Sequence, residues 1–251
     1  MSAIISIQDV VKEYSLGATV VQALRGVSLT VDKGEFISIA GPSGSGKTTL
    51  LNLIGCVDVA TRGTVKVADR DTSQLSEREL TELRLNTIGF IFQSFNLVSV
   101  LSVFQNVEFP LLLQNKLNAK DRKARVEGLL EQVGLQSHMK HRPNELSGGQ
   151  RQRVAIARAL VTDPLIVLAD EPTANLDSKT GEAIIDVMKE LNQKKGTTFI
   201  FSTHDHKVMR HANAVIRLAD GKVLGREKPE DAVAHAVGLD SLPTSSQAHP
   251  S

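Results

Sequence analysis

Short apolar segments alternate with longer amphipathic segments along most of the chain. Three runs are dominated by apolar residues and have the length of buried strands: residues 36–40, 165–169 and 197–202. Residues 4–11 and 24–31 are rich in β-branched residues that alternate loosely with polar ones. This pattern predicts two strands of a half-exposed sheet, joined through residues 14–21.

Further strands and helices are predicted between and after these runs. Strands are predicted over residues 63–68, 88–92, 215–218 and 222–225, the last two flanking the hairpin signal Asp220-Gly221. Helices are predicted over residues 49–55, 76–85, 102–134, 146–162 and 181–195. Ser76 suits the N-cap of the second helix, and Gly196 suits the C-cap of the last.

This order of elements predicts an α/β fold. Apolar strands that alternate with helices indicate a mostly parallel sheet covered on both faces. The helical stretch of about residues 94–160 interrupts the alternation, so we expect an inserted helical subdomain. Residues 1–228 are predicted to form one domain. Residues 229–251 are predicted to form a polar tail whose last ten or so residues are disordered.

Composition and charge narrow the class of protein. The formal net charge of +1 and the low aromatic content of 4 % disfavour a nucleic-acid surface, so we expect no nucleic-acid partner. The single Cys56 permits no intramolecular disulfide, and we expect it to be a small buried residue. We expect no signal peptide, and no apolar run approaches the roughly 18 residues that cross a bilayer.

A glycine-rich loop follows the first buried strand and precedes a predicted helix. It reads Gly41-Pro-Ser-Gly-Ser-Gly46-Lys47-Thr48. Glycines let backbone N–H groups converge on phosphate oxygens, and the positive end of the helix favours the anion. Lys47 would contact the β- and γ-phosphates and Thr48 would bind Mg²⁺. The alternative reading of the motif is a glycine-rich turn without a ligand.

Two carboxylates end the second buried strand. Asp170 and Glu171 follow residues 165–169, at the strand edge that faces the phosphate loop in such a fold. Asp170 would bind Mg²⁺, directly or through water. Glu171, which points in a different direction, would polarise the attacking water. The alternative is a solvated Asp-Glu-Pro turn.

A second anion-binding pattern precedes the helix that starts near residue 146. Leu146-Ser147-Gly148-Gly149-Gln150 offers a hydroxyl and two open backbone N–H groups at a helix N-terminus. One nucleotide seldom needs two such loops from one chain, so the pattern makes sense if two subunits close on one ATP. The alternative is a serine-capped helix.

These motifs together resemble the ATP-binding-cassette (ABC) family, in order and in spacing, from about residue 4 to residue 225. The resemblance implies a P-loop NTPase fold, with a RecA-like core, an N-terminal antiparallel β subdomain and an inserted α-helical subdomain. It identifies Gln93 as the Q-loop glutamine, residues 174–177 as the D-loop and His204 as the switch histidine. Tyr14 is similar to the family's adenine-stacking aromatic. The implied ATP-binding residues are Tyr14, Gly41, Ser43, Gly44, Ser45, Gly46, Lys47, Thr48, Thr49, Gln93, Ser147, Gly149 and Asp170.

The resemblance also implies a mechanism. Two cassettes, either identical or homologous, would pack head to tail around two ATP molecules, so that Ser147 and Gly149 touch a γ-phosphate in trans. The implied catalytic residues are Lys47, Gln93, Glu171 and His204, and the implied Mg²⁺ ligands are Thr48, Gln93 and Asp170. Gln93 would also report the nucleotide state to the surface that meets a membrane subunit.

The resemblance further implies transmembrane permease subunits as partners and a cytoplasmic location on the inner face of the membrane. Residues 88–97 and 106–111 resemble the lipoprotein-releasing and macrolide-export group. Three alternatives stay open: an importer ATPase of the amino-acid type, a non-transport regulator of the cell envelope, and a soluble ATPase that acts on nucleic acid.

Overall fold

The computed structural model describes residues 3–17 and 19–236 and contains two sheets flanked by helices. The strands are β1 Ala3–Leu16, β2 Thr19–Asp32, β3 Phe36–Ala40, β4 Arg62–Val67, β5 Arg70–Asp71, β6 Ile88–Ile91, β7 Ile166–Asp170, β8 Thr198–Thr203, β9 Ala214–Ala219 and β10 Lys222–Glu227. The helices are α1 Lys47–Ile54, α2 Glu77–Thr87, α3 Val103–Gln114, α4 Ala119–Gln132, α5 Gly148–Leu160, α6 Ser178–Lys195, α7 His206–Met209 and α8 Pro229–Ala236.

The larger sheet has six strands in the order β10-β9-β3-β8-β7-β6. Strands β9, β3, β8, β7 and β6 are parallel to one another, and β10 pairs antiparallel with β9. Every residue of β3 and β8 is buried, because helices or the second sheet cover both faces. The predicted mostly parallel sheet is therefore confirmed. Its parallel topology brings the carboxyl ends of β3, β7 and β8 to one edge.

The smaller sheet is antiparallel, with strands in the order β2-β1-β4-β5. Its inner face packs over α1 and the large sheet in an apolar cluster that includes Ile5, Leu24, Ile39 and Leu50. A second cluster joins the other face of the large sheet to the helical insert, and Phe36 packs there against Phe199 and Phe201. Two cores thus fix the large sheet from both sides.

The prediction that residues 14–21 link two strands is wrong. Strands β1 and β2 stay paired as far as Leu16 and Thr19, with Tyr14 opposite Val21. Backbone hydrogen bonding along the ladder and the β-branched Val20 and Val21 favour an extended hairpin, although both valines are exposed. Tyr14 consequently lies on a strand.

Two further predictions change in the structure. The helical stretch over residues 102–134 is two helices: α3 ends at Asn115 in a left-handed conformation with φ 50°, and Asn118 caps α4. The tail predicted from residue 229 begins with helix α8, which buries Ala232 and Val233 against the core. The disorder predicted for the last ten residues lies outside the described residues.

Cys56 is a buried residue, as the sequence predicts. Its side chain is 2 % exposed, and burial raises the pKa of its thiol to about 11. The thiol therefore stays protonated at neutral pH.

Asn106 fixes the loop that leads into α3. Its side chain, 1 % exposed, accepts from the Val98 N–H at 2.8 Å and donates to the carbonyls of Val98, Leu101 and Ser102. We expect Asn106→Ala to lower the free energy of unfolding by about 2 kcal/mol, because the Val98 N–H and the three backbone carbonyls lose the Asn106 amide as their hydrogen-bond partner. Urea unfolding measures this, with Asn144→Ala at an exposed site as control. Equal midpoints for the two variants would contradict the role of Asn106.

Candidate active site

The loops that follow β3, β7 and β8 enclose a cavity of about 720 Å³. Ten residues that the sequence predicts for the site line it: Ser43, Gly44, Gly46, Lys47, Thr48, Thr49, Gln93, Asp170, Glu171 and His204. The structure therefore brings together side chains from four separate parts of the chain. Their convergence is a consequence of parallel strands ending at the same edge.

The glycine loop between β3 and α1 requires glycine at two positions for steric reasons. A Cβ on Gly41 would lie 2.0 Å from the carbonyl oxygen of Leu218. Gly46 has φ 103°, and a Cβ there would lie 2.7 Å from the carbonyl oxygen of Ala23. Ser45 is buried behind the loop, where its carbonyl accepts from Gly221 N–H at 3.0 Å. The loop is therefore packed tightly on one side, while Ser43, Gly44 and Gly46 line the cavity.

Lys47 begins helix α1 and bends back over the same loop. Its ammonium donates to the carbonyls of Gly41 at 2.8 Å and Pro42 at 3.0 Å. The residue is only 8 % exposed. The charge is thus held at the floor of the cavity, beside the helix N-terminus, where both favour an anion.

Thr48 and Asp170 also line the cavity, and their side chains are hydrogen-bonded to each other. The Thr48 hydroxyl donates to Asp170 Oδ2 at 2.9 Å, and the Ser202 hydroxyl donates to Asp170 Oδ1 at 2.6 Å. Ser202 Oγ also accepts from the Glu171 N–H at 2.9 Å. Ser202 thereby fixes the orientation of both carboxylate residues from the neighbouring strand.

Glu171 and His204 also line the cavity. His204 Nδ1 lies 3.1 Å from Glu171 Oε1. Glu171 has φ 48°, a left-handed conformation that is uncommon for residues other than glycine, asparagine and aspartate. The Glu171 side chain is 15 % exposed and that of His204 is 71 % exposed. A shielded carboxylate is therefore paired with an accessible imidazole.

Tyr14 lies on β1 and is not among the residues that line the cavity. Its hydroxyl donates to Asp58 Oδ2 at 2.9 Å, and the Lys12 ammonium lies 4.9 Å from its ring centroid. Burial, and then the hydrogen bond to Asp58, raises the pKa of Tyr14. Burial by itself would raise the pKa of Asp58. Hydrogen bonds from Lys12, the Val59 N–H and Tyr14 outweigh burial, and they lower the pKa of Asp58. The role of Tyr14 in adenine binding stays a prediction.

Ser147 and Gly149 also lie outside the cavity. Ser147 is the exposed N-cap of α5 and accepts from the Gln150 N–H at 3.3 Å, while its own N–H donates to Gln150 Oε1 at 2.9 Å. Within one chain, Ser147 and Gln150 therefore form a capping box at the start of α5. The D-loop residue Asn175 is closer to the site, since its amide donates to the Gln93 carbonyl at 2.8 Å.

Comparison with known protein families matches residues 24–174 to the family described as ABC transporter. This chain belongs to the ABC transporter family. It has the cassette fold of that family and is one of its ATP-hydrolysing components.

Two ABC relatives match over nearly their whole length, and a third matches over about a third of its length. An uncharacterised ABC transporter ATP-binding protein of Thermotoga maritima is 46 % identical over 91 % of this chain and 97 % of its own. The protein MJ0796 of Methanocaldococcus jannaschii is 46 % identical over 89 % of this chain and 97 % of its own. The macrolide export ATP-binding/permease protein MacB of Bradyrhizobium diazoefficiens is 45 % identical over 96 % of this chain but only 36 % of its own length.

Solved ABC structures agree with the fold. The dimeric structure of a post-hydrolysis state of MJ0796, bound to ADP and Pi, superposes with a TM-score of 0.83 at 45 % identity, over 90 % of this chain and 98 % of that one.

In the described residues 3–17 and 19–236 of this ABC protein, no helix is both long and apolar enough to cross a membrane.

Some residues that line the cavity, or that contact the predicted site residues, are not predicted from the sequence of this ABC protein. Ser202 was assigned only to a strand, although a serine at the end of a buried apolar strand is a signal for a polar contact. Lys12 and Asp58, which hold Tyr14, carry no motif and lie 46 positions apart. Arg25 and Gln22 line the cavity only because β2 passes beside it.

Proposed function

We propose that this chain binds ATP and Mg²⁺ in the described cavity and hydrolyses ATP as the engine of a membrane transporter. The observation that carries the proposal is the convergence of Lys47, Thr48, Asp170, Glu171 and His204 on one cavity. A cation, an oxygen pair for a metal and a shielded carboxylate are the groups that phosphoryl transfer to water requires. Nucleotide-binding and phosphate-release assays on the purified chain test it.

The chain's own residues account for the steps of hydrolysis. Lys47 and the loop N–H groups bind the β- and γ-phosphates. Glu171 orients a water and accepts its proton as the water oxygen bonds to the γ-phosphorus, while the bond to the bridging oxygen breaks and ADP leaves. His204, hydrogen-bonded to Glu171, is accessible for contact with the γ-phosphate. Tyr14, on its strand near Thr49, would stack on adenine.

The residues beside Lys47 fit a bound Mg²⁺. Thr48 Oγ1 and Asp170 Oδ2, 2.9 Å apart, are hard oxygen donors, and Gln93 lines the same cavity. When bound, Mg²⁺ would neutralise negative charge on the phosphates. The Ser202 hydroxyl donates to Oδ1 of Asp170, which leaves Oδ2 of Asp170 beside Thr48.

The exposed N-terminus of α5 supports a head-to-tail dimer. Ser147 is exposed and lies outside the cavity, so it can complete an ATP site only on a second subunit, either another copy or a homologous ATPase. MJ0796, the relative with a dimeric structure, supports the same arrangement here. An attraction that exists only with ATP bound would close the dimer, and hydrolysis would reopen it.

Ser147→Ala should abolish turnover and spare ATP binding by the monomer. The variant loses the hydroxyl that would reach the partner's γ-phosphate, and we expect at least about a hundredfold loss in ATPase rate. Ser102→Ala is the matched control, because Ser102 caps α3 in the same kind of capping box with Gln105. If Ser147→Ala weakened monomer binding as strongly as the loss of Lys47, the assignment in trans would be wrong.

Permease subunits are the proposed partners, which would place the chain on the inner face of the membrane. The similarity to MacB, whose name joins an ATP-binding part to a permease and macrolide export, favours the export and lipoprotein-release group. Copurification with a membrane protein separates a transporter or envelope regulator from a soluble ATPase. Transport into vesicles then separates a transporter from a regulator, and its direction separates export from amino-acid import.

A further inference from the structure

Helix α5 presents two arginines to the loop that follows Gln93. Arg151 and Arg158 are seven residues apart and so share one face of the helix. The Arg151 guanidinium lies 5.2 Å from the Phe95 ring centroid. Arg158 donates through one terminal nitrogen to the Phe95 carbonyl at 2.8 Å and through the other to the Asn96 carbonyl. Ser147 is the N-cap of the same helix. Helix α5 therefore carries Ser147 at its N-terminus and contacts the loop after Gln93 through Arg158, near its C-terminus.

The loop that Arg158 holds has an unfavourable backbone conformation. Phe95 has φ 60° and Asn96 has φ 47°, two consecutive left-handed residues. Such a conformation costs free energy, more for phenylalanine than for asparagine, and persists only where the surroundings impose it. The two carbonyls that accept from Arg158 belong to these two residues. The guanidinium therefore fixes the loop at the place where the backbone is least stable by itself.

The other end of the loop is fixed by the D-loop. The amide of Asn175 donates to the Gln93 carbonyl at 2.8 Å. Gln93 thus has its backbone tied to one element and the residues after it tied to α5. Gln93, which lies between these two attachments, lines the cavity.

We propose that Arg158 is a positioning residue, which holds residues 93–96 against the Ser147 helix so that Gln93 faces the ATP cavity. This inference rests on the proposed function of Gln93. A planar guanidinium reaches two carbonyls at once, which a lysine ammonium on a flexible stem does not match. Movement of α5 would therefore carry the Gln93 loop with it, and the cis and trans contacts to one nucleotide would change together.

Arg153 provides a matched control on the same helix. It also is half-buried and donates to a carbonyl, that of Val133, at 3.1 Å. Val133 belongs to the end of α4, away from the cavity. Loss of Arg153 therefore reports the structural cost of removing an arginine from α5 without touching the Gln93 loop.

The first test measures the loop directly. The chain has no tryptophan, so Phe95→Trp introduces a single fluorophore into the loop. In that background we expect Arg158→Gln to raise the acrylamide quenching constant about twofold, because the loop loses its attachment. Arg158→Lys should give an intermediate value and Arg153→Gln no change. An unchanged constant for Arg158→Gln, or an equal rise for Arg153→Gln, would overturn the proposal.

The second test uses the native Phe95 and a fluorescent nucleotide, TNP-ATP. We expect Arg158→Gln to bind TNP-ATP in EDTA within about twofold of the parent, and to lose about tenfold or more of the affinity gained on adding Mg²⁺. Arg153→Gln should keep that gain. Failure of the parent to bind TNP-ATP would count against the proposed function. A parent that binds and an Arg158→Gln protein that keeps the full Mg²⁺ gain would instead refute this inference alone.

Discussion

Glu171→Gln should bind ATP with nearly unchanged affinity and hydrolyse it about a thousandfold more slowly. Glutamine keeps the shape of the side chain and its contact with His204 but cannot accept a proton from water. The Glu171 side chain is largely shielded, and the neighbouring Asp170 carboxylate already accepts hydrogen bonds from Thr48 and Ser202, so solvent or that neighbour does not replace it easily. Phosphate release measured under saturating ATP checks the rate.

The same substitution should change the oligomeric state. If ATP closes two subunits and hydrolysis separates them, blocking hydrolysis lets the closed dimer accumulate at millimolar ATP. Light scattering after gel filtration in ATP measures this. Glu131→Gln, on an exposed position of α4, controls for the change in charge. A protein that binds ATP and remains monomeric would contradict the dimer.

Lys47→Ala should lose about a hundredfold or more in ATP affinity, because charge-assisted hydrogen bonds to two phosphates disappear together. The effect has a second cause in this structure. Lys47 also ties the loop together through the Gly41 and Pro42 carbonyls, so its loss loosens the loop that carries the phosphate-binding N–H groups. Calorimetric titration with ATP measures the affinity.

A thermal melt gives an independent readout of the Lys47 substitution. ATP should raise the melting temperature of the parent protein and leave that of Lys47→Ala nearly unchanged, since only binding to the folded state stabilises it. Lys33→Ala, in the exposed turn before β3, removes the same charge without touching the loop. If Lys47→Ala bound ATP with the same affinity as Lys33→Ala, Lys47 would have no role in ATP binding.

Motifs in the sequence predict many of the residues that line the cavity, because each motif is local. Their roles stay predictions. Strand, glycine loop and helix follow one another directly, so the turn geometry and the charge of Lys47 can be deduced from adjacent residues. The same holds for Asp170 and Glu171 at the end of an apolar strand. Element types could also be predicted, although α3 and α4 were merged, since Asn115 and Asn118 interrupt the helix without glycine or proline between them.

Contacts between distant segments could not be deduced in this way. The bonds of Ser202 to Asp170 and Glu171, of Asp58 to Tyr14, and of Arg158 to the Gln93 loop join residues far apart in the chain. No period or motif encodes them, because they depend on which strands are neighbours and on how α5 packs. The left-handed conformation of Glu171 is also imposed by its surroundings.

The sequence alone predicts most of the candidate groups, because the glycine loop with Lys47, the two carboxylates and the Ser147 turn are each formed by residues adjacent in the chain. His204 is predicted only through the resemblance to the ABC family. Which of these groups meet depends on the tertiary structure. The ends of the parallel strands place the glycine loop, both carboxylates and His204 at one cavity, whereas Ser147, the N-cap of α5, does not line that cavity. The physical reason is that strand order and helix packing are set by burial of the whole core, to which every apolar segment contributes and which no single motif specifies.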